Sequence, residues 1–384
     1  MSHYFICGRI VSLFLSTVFF DVSVDPQTLQ VGPDKPFQRI EEAVQAATEG
    51  DEIVVHPNRD GSPYRQPVLM IRKAKLKIRS ADPEKPVMLD GAGYEYSGHG
   101  SIPRAIVQFD PGADGCVLDG FVLTNARNGS HNGAGVRINA ANNVTVRNCV
   151  IHANDMGIMS GGEVSRRTGA GQRIEKCKIF ENGTDKDPGY NHNLYVGGTD
   201  VTVVECDISR STTGHNLKSR AHRLFVINCV IHDSCNRELD LVDGVGNTDV
   251  PESDSFLVGN TIVKDSKCSG NKTVIHFGRD GAAHHTGTLW LIDNTIRTPF
   301  VSPIAHLSDG NGIVLIGNRI NEKDPERKTE LVRRKDSGMI VAGEKNVLPP
   351  DSTIHTVESG ETTSVKLEKS TGLPEALMLI LKQK

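Results

Sequence analysis

The sequence is poor in aromatic residues and contains no apolar run long enough to cross a bilayer. Only one of its 384 residues is Trp, the aromatic share is 5%, and the hydrophobic share is 37%. A membrane-spanning helix needs about 20 mainly apolar residues, and no segment approaches that length. Together with 38 glycines, this composition predicts thin cores joined by many tight turns, and no membrane span.

The chain also lacks an excess of charge of either sign. It has 43 basic and 47 acidic residues, mixed along the sequence, for a net charge of -4. Domains that bind nucleic acid are usually basic, so this balance gives no reason to expect a nucleic-acid partner. An acidic substrate remains compatible with it, because a local cationic site can lie on a weakly acidic protein.

The N-terminus has the features of an export signal. Arg9 precedes an apolar run from Ile10 to Phe20, and a run of this length fits the hydrophobic region of a signal peptide. We therefore expect residues 1–24 to be a signal peptide and the protein to be secreted or periplasmic. No clear cleavage motif follows the run, and the alternative is a buried strand. We also expect a monomer.

Eight cysteines in an exported chain suggest disulfides. Half of them, however, occupy the same place in successive repeats and are predicted to form an inward ladder of small apolar side chains: Cys149, Cys177, Cys206 and Cys229. Cys235 and Cys268 are left as a candidate disulfide pair late in the chain.

Short strands ending in Cys-x-Ile or Asn-x-Ile recur along the chain. The anchor positions of these repeats are Phe121, Cys149, Cys177, Cys206, Cys229, Asn260, Asn294 and Asn318. They are separated by 28, 28, 29, 23, 31, 34 and 24 residues. Coils of variable length with matched strand ends are typical of a parallel β-solenoid, whereas propeller blades are longer and more uniform and sandwich strands share no such column. Stacked asparagine amides can hydrogen-bond along such a column.

The segment 31–91 has a different pattern. Apolar residues from Phe37 to Ala47 recur at helical spacing before Gly50, and a short strand follows at Glu52–Val55. This segment resembles the N-terminal cap of the pectate-lyase-like, right-handed parallel β-helix superfamily, and with the repeated columns the resemblance covers residues 31–322. It implies an all-β, single-stranded right-handed parallel β-helix with an N-terminal capping helix. Such a scaffold hosts many chemistries.

The expected organisation follows from these patterns. Residues 25–97 form the N-terminal cap and first coils, and residues 98–322 form the parallel β-helix. Residues 323–384 are either a C-terminal cap, with a short helix around Leu373–Leu381, or a partly disordered tail.

The motif His-Asn-Leu occurs twice, 23 residues apart, at His192 and His215. If the leucines point inward, the residues that follow them lie in one outward column: Met159, Tyr195, Lys218, Asp240 and His276. The residues before the leucines are expected to point outward too: Asn193, Asn216 and Glu238. Arg220 lies one step further along this face, with Arg237 and Asp243 at its margin. We interpret this local polar cluster as the candidate site; the alternative is a structural corner with ordinary cross-strand ion pairs.

Such a cluster suits β-elimination in an acidic polysaccharide, which needs a cation at the uronate carboxylate, a base and an acid. We assign Lys218 as the base, because burial and a neighbouring cation disfavour its charged form. Arg220 would clamp the carboxylate, and Tyr195 would donate a proton or stack on a sugar. The remaining assignments are substrate binding by His192, Asn193, His215, Asn216 and Arg237, and a Ca²⁺ site at Glu238 and Asp240.

The stretch HNLKSRA also resembles β-helix lyases of the alginate-lyase and chondroitinase-B type. That resemblance implies a lysine base and an arginine beside a calcium ion held by acidic and amide side chains. In this chain Lys218 takes the first role and Arg220 the second. Arg220 is only two residues from Lys218, which departs from the lyase pattern, so Arg223 and Arg237 are alternative partners.

Other functions remain open at this point. The same groups suit a C5-epimerase, which returns the proton on the other face of the sugar. Glu238 and Asp240 are predicted to lie on one face, where they could act as the acid-base pair of a glycoside hydrolase. A non-catalytic solenoid that only binds carbohydrate is the alternative outside the enzymes.

Overall fold

The structure of the protein is a computed structural model that describes residues 25–186, 189–324, 326–367 and 374. Within these residues there are one α-helix, α1 (Ile40–Ala46), one 3-10 helix (Val164–Arg166) and 32 strands. The first sixteen strands are β1 (Thr28–Val31), β2 (Glu52–Val55), β3 (Tyr64–Arg65), β4 (Leu69–Ile71), β5 (Lys77–Ser80), β6 (Val87–Asp90), β7 (Ala105–Phe109), β8 (Val117–Asp119), β9 (Phe121–Thr124), β10 (Ala134–Asn139), β11 (Thr145–Arg147), β12 (Val150–His152), β13 (Met156–Gly161), β14 (Gln172–Glu175), β15 (Lys178–Phe180) and β16 (Leu194–Val204). The others are β17 (Asp207–Ser209), β18 (Leu217–Ile227), β19 (Val230–His232), β20 (Leu239–Val242), β21 (Ser255–Val258), β22 (Thr261–Val263), β23 (Ile275–Gly278), β24 (Thr288–Ile292), β25 (Thr295–Arg297), β26 (Ala305–Leu307), β27 (Gly312–Ile316), β28 (Arg319–Ile320), β29 (Glu330–Arg334), β30 (Ile340–Glu344), β31 (Thr353–Thr356) and β32 (Glu361–Ser364).

The strands stack in parallel into three faces of a solenoid. Face 1 contains β4, β7, β10, β13, the first halves of β16 and β18, β20, β23, β26, β29 and β31. Face 2 contains β1, β2, β5, β8, β11, β14, the second halves of β16 and β18, β21, β24, β27 and β30. Face 3 is a separate sheet of ten strands, β3, β6, β9, β12, β15, β17, β19, β22, β25 and β28. The all-β parallel solenoid is thus confirmed.

Two long strands join the first two faces. β16 and β18 each have 11 residues and pair with one another in continuous register from Leu194 opposite Leu217 to Val204 opposite Ile227. They therefore run from face 1 onto face 2 without a break, and this makes the two faces one sheet of 22 strands. Tyr195, Lys218 and Arg220 of the candidate site lie on these two strands.

Inside, the predicted column of cysteines and asparagines forms a ladder. Its four cysteines are buried, and the Cys229 thiol donates to the carbonyl oxygen of Ile227 at 3.4 Å. Below them, the Asn260 amide donates to Asn294 Oδ1 at 2.9 Å, and Asn294 donates to Asn318 Oδ1 at 3.0 Å. Each buried amide therefore donates a hydrogen bond to the amide oxygen of the next coil, as the strand-end spacing predicts.

The proposed disulfide between Cys235 and Cys268 is wrong. Both cysteines are free in the structure. The Cys268 thiol instead donates to the backbone carbonyl oxygen of Cys235 at 3.1 Å, and the Cys235 sulfur lies 3.0 Å from Ser269 Oγ. The two residues are neighbours, as the sequence predicted, but each sulfur has a different hydrogen-bond partner.

A helix forms in the N-terminal segment where the apolar spacing predicts one. α1 buries Ile40, Ala43 and Val44, and the Lys73 ammonium donates to the carbonyl oxygen of Gln45 at 2.6 Å near the end of the helix. A cation there stabilises the unpaired carbonyl groups of the last turn. The role of α1 as a cap of the core stays a prediction. The signal peptide predicted at residues 1–24 and, apart from Pro374, the helix predicted at Leu373–Leu381 lie outside the described residues.

The parallel stack continues past residue 322, where the sequence predicted a cap or tail. β29 pairs with β26, β30 with β27, and β31 with β29, all in parallel. β32 then pairs antiparallel with β31. No helix in the described residues is long and apolar enough to span a membrane.

Candidate functional site

The outward column predicted from the His-Asn-Leu motifs is present on face 1. Strand register places Met159 beside Tyr195, Tyr195 beside Lys218, Lys218 beside Asp240, and Asp240 beside His276. Adjacent parallel strands lie about 4.8 Å apart. Side chains that are more than 20 residues apart in sequence therefore lie in contact across neighbouring coils.

Asp240 is the centre of the cluster. Its side chain is only 1% exposed, and both oxygens face nitrogen atoms of other side chains. Oδ1 accepts from Arg237 Nη1 at 2.8 Å and from His276 Nδ1 at 2.9 Å. Oδ2 lies 3.1 Å from Lys218 Nζ and 3.3 Å from His215 Nε2.

These neighbours keep Asp240 ionised. Burial raises the pKa of the Asp240 carboxyl, but the hydrogen bond from His276 and the charge of Lys218 outweigh it, and the pKa is well below its usual range. A buried carboxylate needs such compensation, because an unpaired buried charge is costly. Asp240 is therefore a fixed negative charge that orients the groups around it.

The two histidines of the repeated motif lie under this cluster rather than on it. Their rings stack with centroids 5.0 Å apart, and both are buried. The backbone N–H of His215 donates to His192 Nδ1 at 3.0 Å, and the backbone N–H of Arg237 donates to His215 Nδ1 at 3.2 Å. A donor facing Nδ1 requires the proton to be on Nε2 of a neutral ring, so the backbone selects the tautomer that places the N–H of His215 on the side of Asp240, with Nε2 3.3 Å from Oδ2.

The low basicity of these rings agrees with that arrangement. Burial lowers the pKa of His215 to about 4, and burial together with His215 holds the pKa of His192 well below its usual range. The prediction that His192 and His215 bind substrate is therefore corrected. Both rings are buried, and Nδ1 of each accepts a hydrogen bond from the backbone, so their contribution is to support the face above them.

Lys218 and Arg220 meet at one carboxylate above the cluster. Both point outward from β18, and both contact Oδ2 of Asp280, Lys218 Nζ at 2.7 Å and Arg220 Nη2 at 3.0 Å. Arg220 Nε also donates to the hydroxyl oxygen of Tyr195 at 3.0 Å. The structure thus brings together the three residues assigned to catalysis, and it adds Asp280 to them.

Asp280 belongs to a loop that Asp243 holds in place. Oδ1 of Asp243 accepts from the backbone N–H groups of Asp280 and Gly281, at 2.5 and 2.7 Å, and Oδ2 accepts from that of Ala283 at 3.0 Å. Burial raises the pKa of Asp243, but these backbone hydrogen bonds outweigh it and the pKa is below its usual value. The loop after β23 is therefore fixed at its backbone, with the Asp280 side chain reaching back over β18.

The residues that precede the inward leucines do not point outward, and this prediction is wrong. Asn193 and Asn216 are fully buried in a second amide ladder, in which Asn193 donates to Asn216 Oδ1 at 2.8 Å and Asn216 donates to Glu238 Oε2 at 2.6 Å. The backbone turns at these positions from face 3 onto face 1, so the alternation of a strand does not apply. Asn193 and Asn216 consequently support the coils and do not reach a substrate.

Glu238 ends this ladder inside the solenoid. It is fully buried, it accepts from the backbone N–H of Ser234 at 3.1 Å, and the buried Lys264 Nζ lies 3.6 Å from its Oε1. Burial raises the pKa of Glu238 to about 7. Glu238 and Asp240 therefore do not share a face, and the pair of carboxylates that a hydrolase would use is not formed.

Comparison with known proteins agrees with this architecture. Residues 107–262 match the family model described as the right handed beta helix region. The chain has a right-handed parallel β-helix fold. An alginate lyase from a Paenibacillus species is 15% identical, over 84% of this chain and 99% of its own, with a TM-score of 0.51. A polygalacturonase from Erwinia carotovora ssp. carotovora is 12% identical, over 90% of this chain and 97% of its own, with a TM-score of 0.58. No curated protein matches the chain in sequence.

These likenesses show the fold of the β-helix and leave its chemistry to the side chains. The two alternative arginine partners contact aspartates other than Asp280. Arg223 lies in the part of β18 that leads to face 2 and donates to Asp200 Oδ1 at 2.7 Å. Arg237 is held by Asp240. Arg237 remains partly exposed at the margin of the face, with 19% of its side chain accessible.

The donor set does not fit the predicted calcium site. Calcium takes six to eight oxygen ligands, whereas Asp240 faces two cationic side chains and two histidine rings, and Glu238 lies in the interior ladder. Among the residues that the structure describes, no group of three or more His, Cys, Asp or Glu is placed to hold a metal ion. Lys218 and Arg220 supply the positive charge of this site.

Sequence reasoning missed three residues of the site region. Asp280 and Ser308 lie in loops after strands, and Lys264 follows a strand of face 3. Ser308 Oγ lies 2.8 Å from His276 Nε2 and so holds the ring whose other nitrogen faces Asp240. For Asp280, the available signal was the neighbouring Gly281, which allows the loop to approach Asp243: a Cβ on Gly281 would lie 2.9 Å from Asp243 Oδ2.

Proposed function

We propose that this β-helix is an enzyme that cleaves an acidic, uronate-containing polysaccharide by β-elimination on face 1. One observation carries the proposal: Lys218 Nζ and Arg220 Nη2 converge on a single carboxylate oxygen, that of Asp280, at 2.7 and 3.0 Å. A uronate residue presents a carboxylate of the same kind. Two cations at one carboxylate neutralise it, and neutralisation acidifies the C5 proton that elimination removes.

The contacts of Lys218 change its assignment. Its ammonium lies between Asp240 and Asp280, at 3.1 and 2.7 Å, and forms ion pairs with both carboxylates. A lysine held in this way is placed to bind a carboxylate. We therefore assign Lys218, together with Arg220, to binding and neutralising the uronate carboxylate, in place of the base role expected from the sequence.

Tyr195 is then the group for proton transfer. Its hydroxyl oxygen accepts from Arg220 Nε at 3.0 Å, so that oxygen is held beside the two cations that bind the uronate carboxylate. As a phenolate, Tyr195 takes the C5 proton, and the electron pair of the C5–H bond forms the C4–C5 double bond. The C4–O bond breaks, and the leaving oxygen receives the proton from Tyr195. The step needs no added water and no co-reactant.

Asp240 acts as a positioning residue in this scheme. It holds Lys218 on one side and His276 and Arg237 on the other, through contacts of 2.8 to 3.1 Å. A preorganised cationic site requires such support, because its donors must be in place before charge develops. His276 is in turn held by Ser308.

The proposal also covers the substrate class, the location and the oligomeric state of the enzyme. The likeness to a protein named as an alginate lyase supports a carbohydrate as the substrate class, and the apolar run at Ile10–Phe20 supports export. A secreted or periplasmic monomer acting on acidic polysaccharide agrees with both. A C5-epimerase would use the same proton abstraction but leave the polymer intact.

The test is a panel of acidic polymers. The protein is incubated with alginate, pectate and chondroitin sulfate, each with and without Ca²⁺, while the ultraviolet absorbance of unsaturated uronate is followed. The proposal predicts an increase with at least one polymer, and loss of that increase in the Lys218→Ala variant. Binding of a polymer without any unsaturated product would identify a carbohydrate-binding module, and a change of C5 configuration without cleavage would identify an epimerase.

A further inference from the structure

The carboxylate of Asp280 lies where the proposed substrate carboxylate would bind. We propose that Asp280 is an internal competitor: its side chain fills the Lys218–Arg220 position in the free enzyme, and an incoming uronate displaces it. This inference rests on the function proposed above for the same site. It assigns to Asp280 the control of affinity for acidic sugars.

The backbone of the Asp280 loop is held in place, whereas the Asp280 side chain is free to rotate. Asp243 accepts hydrogen bonds from the backbone N–H groups of Asp280, Gly281 and Ala283, so the loop is anchored below the side chain. The side chain itself is 39% exposed and makes its contacts only through Oδ2. Rotation about its own bonds is therefore sufficient to leave the cations, and no part of the solenoid has to open.

The accessibility of the cations agrees with this arrangement. The side chain of Lys218 is 12% exposed and that of Arg220 is 28% exposed, although both point outward from β18. Asp280 is one of the groups that cover them. When Asp280 rotates away, the anion that replaces it gains both cations at once, while Asp240 continues to hold Lys218 from below.

Displacement is inexpensive because the competing contacts are near the surface. Asp280 is itself 39% exposed, and the incoming carboxylate replaces its two contacts, so removing this competitor changes an equilibrium only modestly. We expect a uronate to bind about two- to ten-fold more tightly when the charge of Asp280 is removed. A neutral sugar gains nothing from the change, since it does not compete for the cations.

The experiment measures binding, not turnover. Titration calorimetry compares the intact protein with the Asp280→Asn and Asp280→Glu variants, using trimers of galacturonate, mannuronate and glucuronate as probes. Methyl-esterified trigalacturonate serves as the neutral ligand. The control variant is Asp60→Asn, which removes a negative charge at an exposed position on an early coil.

The inference predicts tighter binding of at least one charged trimer by Asp280→Asn, and unchanged binding of the ester. Asp280→Glu and Asp60→Asn should bind as the intact protein does. In a Lys218→Gln background the gain from Asp280→Asn should shrink, because the contested cation is absent. Unchanged or weaker binding by Asp280→Asn, or no binding of any charged trimer by either form, would overturn the inference.

This outcome is independent of the elimination chemistry. If no polymer yields an unsaturated product but Asp280→Asn still binds a charged trimer more tightly, elimination is wrong and the competitor role stands. If elimination is observed and Asp280→Asn does not bind a charged trimer more tightly, elimination stands and the competitor role is wrong. A loss of turnover in Asp280→Asn with unchanged affinity would assign Asp280 to the chemical step and contradict competition.

Discussion

The hydroxyl oxygen of Tyr195 lies 3.0 Å from Nε of Arg220, one coil away on the same face of the solenoid. The edge of the His192 ring faces Tyr195, with centroids 5.5 Å apart, so the phenol ring is held from below while its hydroxyl faces the cation. A tyrosine with a fixed ring and a guanidinium at its oxygen is suited to move a proton.

Removing that hydroxyl should therefore abolish most of the activity. For Tyr195→Phe we expect product formation to fall by about 10²- to 10⁴-fold, the range for loss of a proton-transfer group, with little change in melting temperature. Initial rates and thermal unfolding measure the two effects. Tyr190→Phe is the matched control, because Tyr190 is exposed. A Tyr195→Phe enzyme with normal turnover would remove Tyr195 from the mechanism.

Lys218 contributes to carboxylate binding in this account. For Lys218→Gln we expect kcat/KM on the charged polymer to fall by about 10²- to 10³-fold, as for loss of a donor that stabilises developing charge. Lys178→Gln is the control, since Lys178 is an exposed lysine on face 3. A Lys218→Gln effect no larger than that of Lys178→Gln would show that the cation at this position is dispensable.

Turnover should survive removal of divalent metal. Lys218 and Arg220 supply the charge at the carboxylate, and the carboxylates predicted to bind calcium are used otherwise. We expect rates measured after treatment with a chelator to equal those before it. Complete loss of activity, restored by Ca²⁺ alone, would contradict the assignment of the two cations.

Asp240 is expected to matter for stability as well as for activity. Replacing it with Asn leaves Lys218 and Arg237 without their buried counter-charge, and breaking a buried ion pair costs about 3–5 kcal/mol. Denaturant unfolding of Asp240→Asn measures this cost. Asp119→Asn is the control, because its partner Arg147 is 35% exposed and such pairs contribute about 0–1 kcal/mol. Equal costs for the two variants would argue against Asp240 as the centre of the cluster.

The buried pair of Glu238 and Lys264 predicts a pH dependence of folding. Burial raises the pKa of Glu238 from 4.5 to about 7, so the folded protein binds more protons than the unfolded chain between these values. The stability that Glu238 contributes is fully present below pH 4.5 and is lost as the pH rises towards 7. Unfolding free energies across this window should therefore show a component that falls with rising pH and is absent in Glu238→Gln.

A double-mutant cycle separates this pair from its surroundings. Glu238→Gln keeps the acceptor for Asn216 and resembles the protonated form of Glu238, so we expect it to match the intact protein below pH 4.5 and to be the more stable of the two as the pH rises past about 7. Lys264→Met removes the cation that the ionised Glu238 faces, so its cost should grow with rising pH and be smaller in the Glu238→Gln background. If the double variant is as unstable as the sum of the single variants, the two charges are not coupled.

The outward column could be predicted because register in a solenoid is periodic. Lys218 and Asp240 become neighbours as soon as the leucines before them are placed inside. The same reasoning predicted the ladder from Asn260 to Asn318, since a repeated strand end marks a repeated corner. In both cases the contact follows from the spacing between repeats, and that spacing can be read from a single sequence.

The positions that the sequence did not predict depend on backbone turns and loops. Glu238 and Asn216 lie where the chain changes face, so strand alternation assigned them to the wrong side of the backbone. Asp280 is 40 residues from Asp240 in sequence and reaches the site only because Asp243 binds the backbone of its loop. Contacts of this kind follow from tertiary structure, and the residue pattern alone does not specify them.

The most direct test of elimination is the origin of the atoms in the product. A polymer that the enzyme cleaves is digested in heavy-oxygen water, and the oligosaccharides are analysed by mass spectrometry. Elimination predicts products that end in a C4–C5 unsaturated uronate and carry no oxygen from water at the cleaved bond. Saturated products that have incorporated one heavy oxygen at each cleaved bond would show hydrolysis and contradict the account.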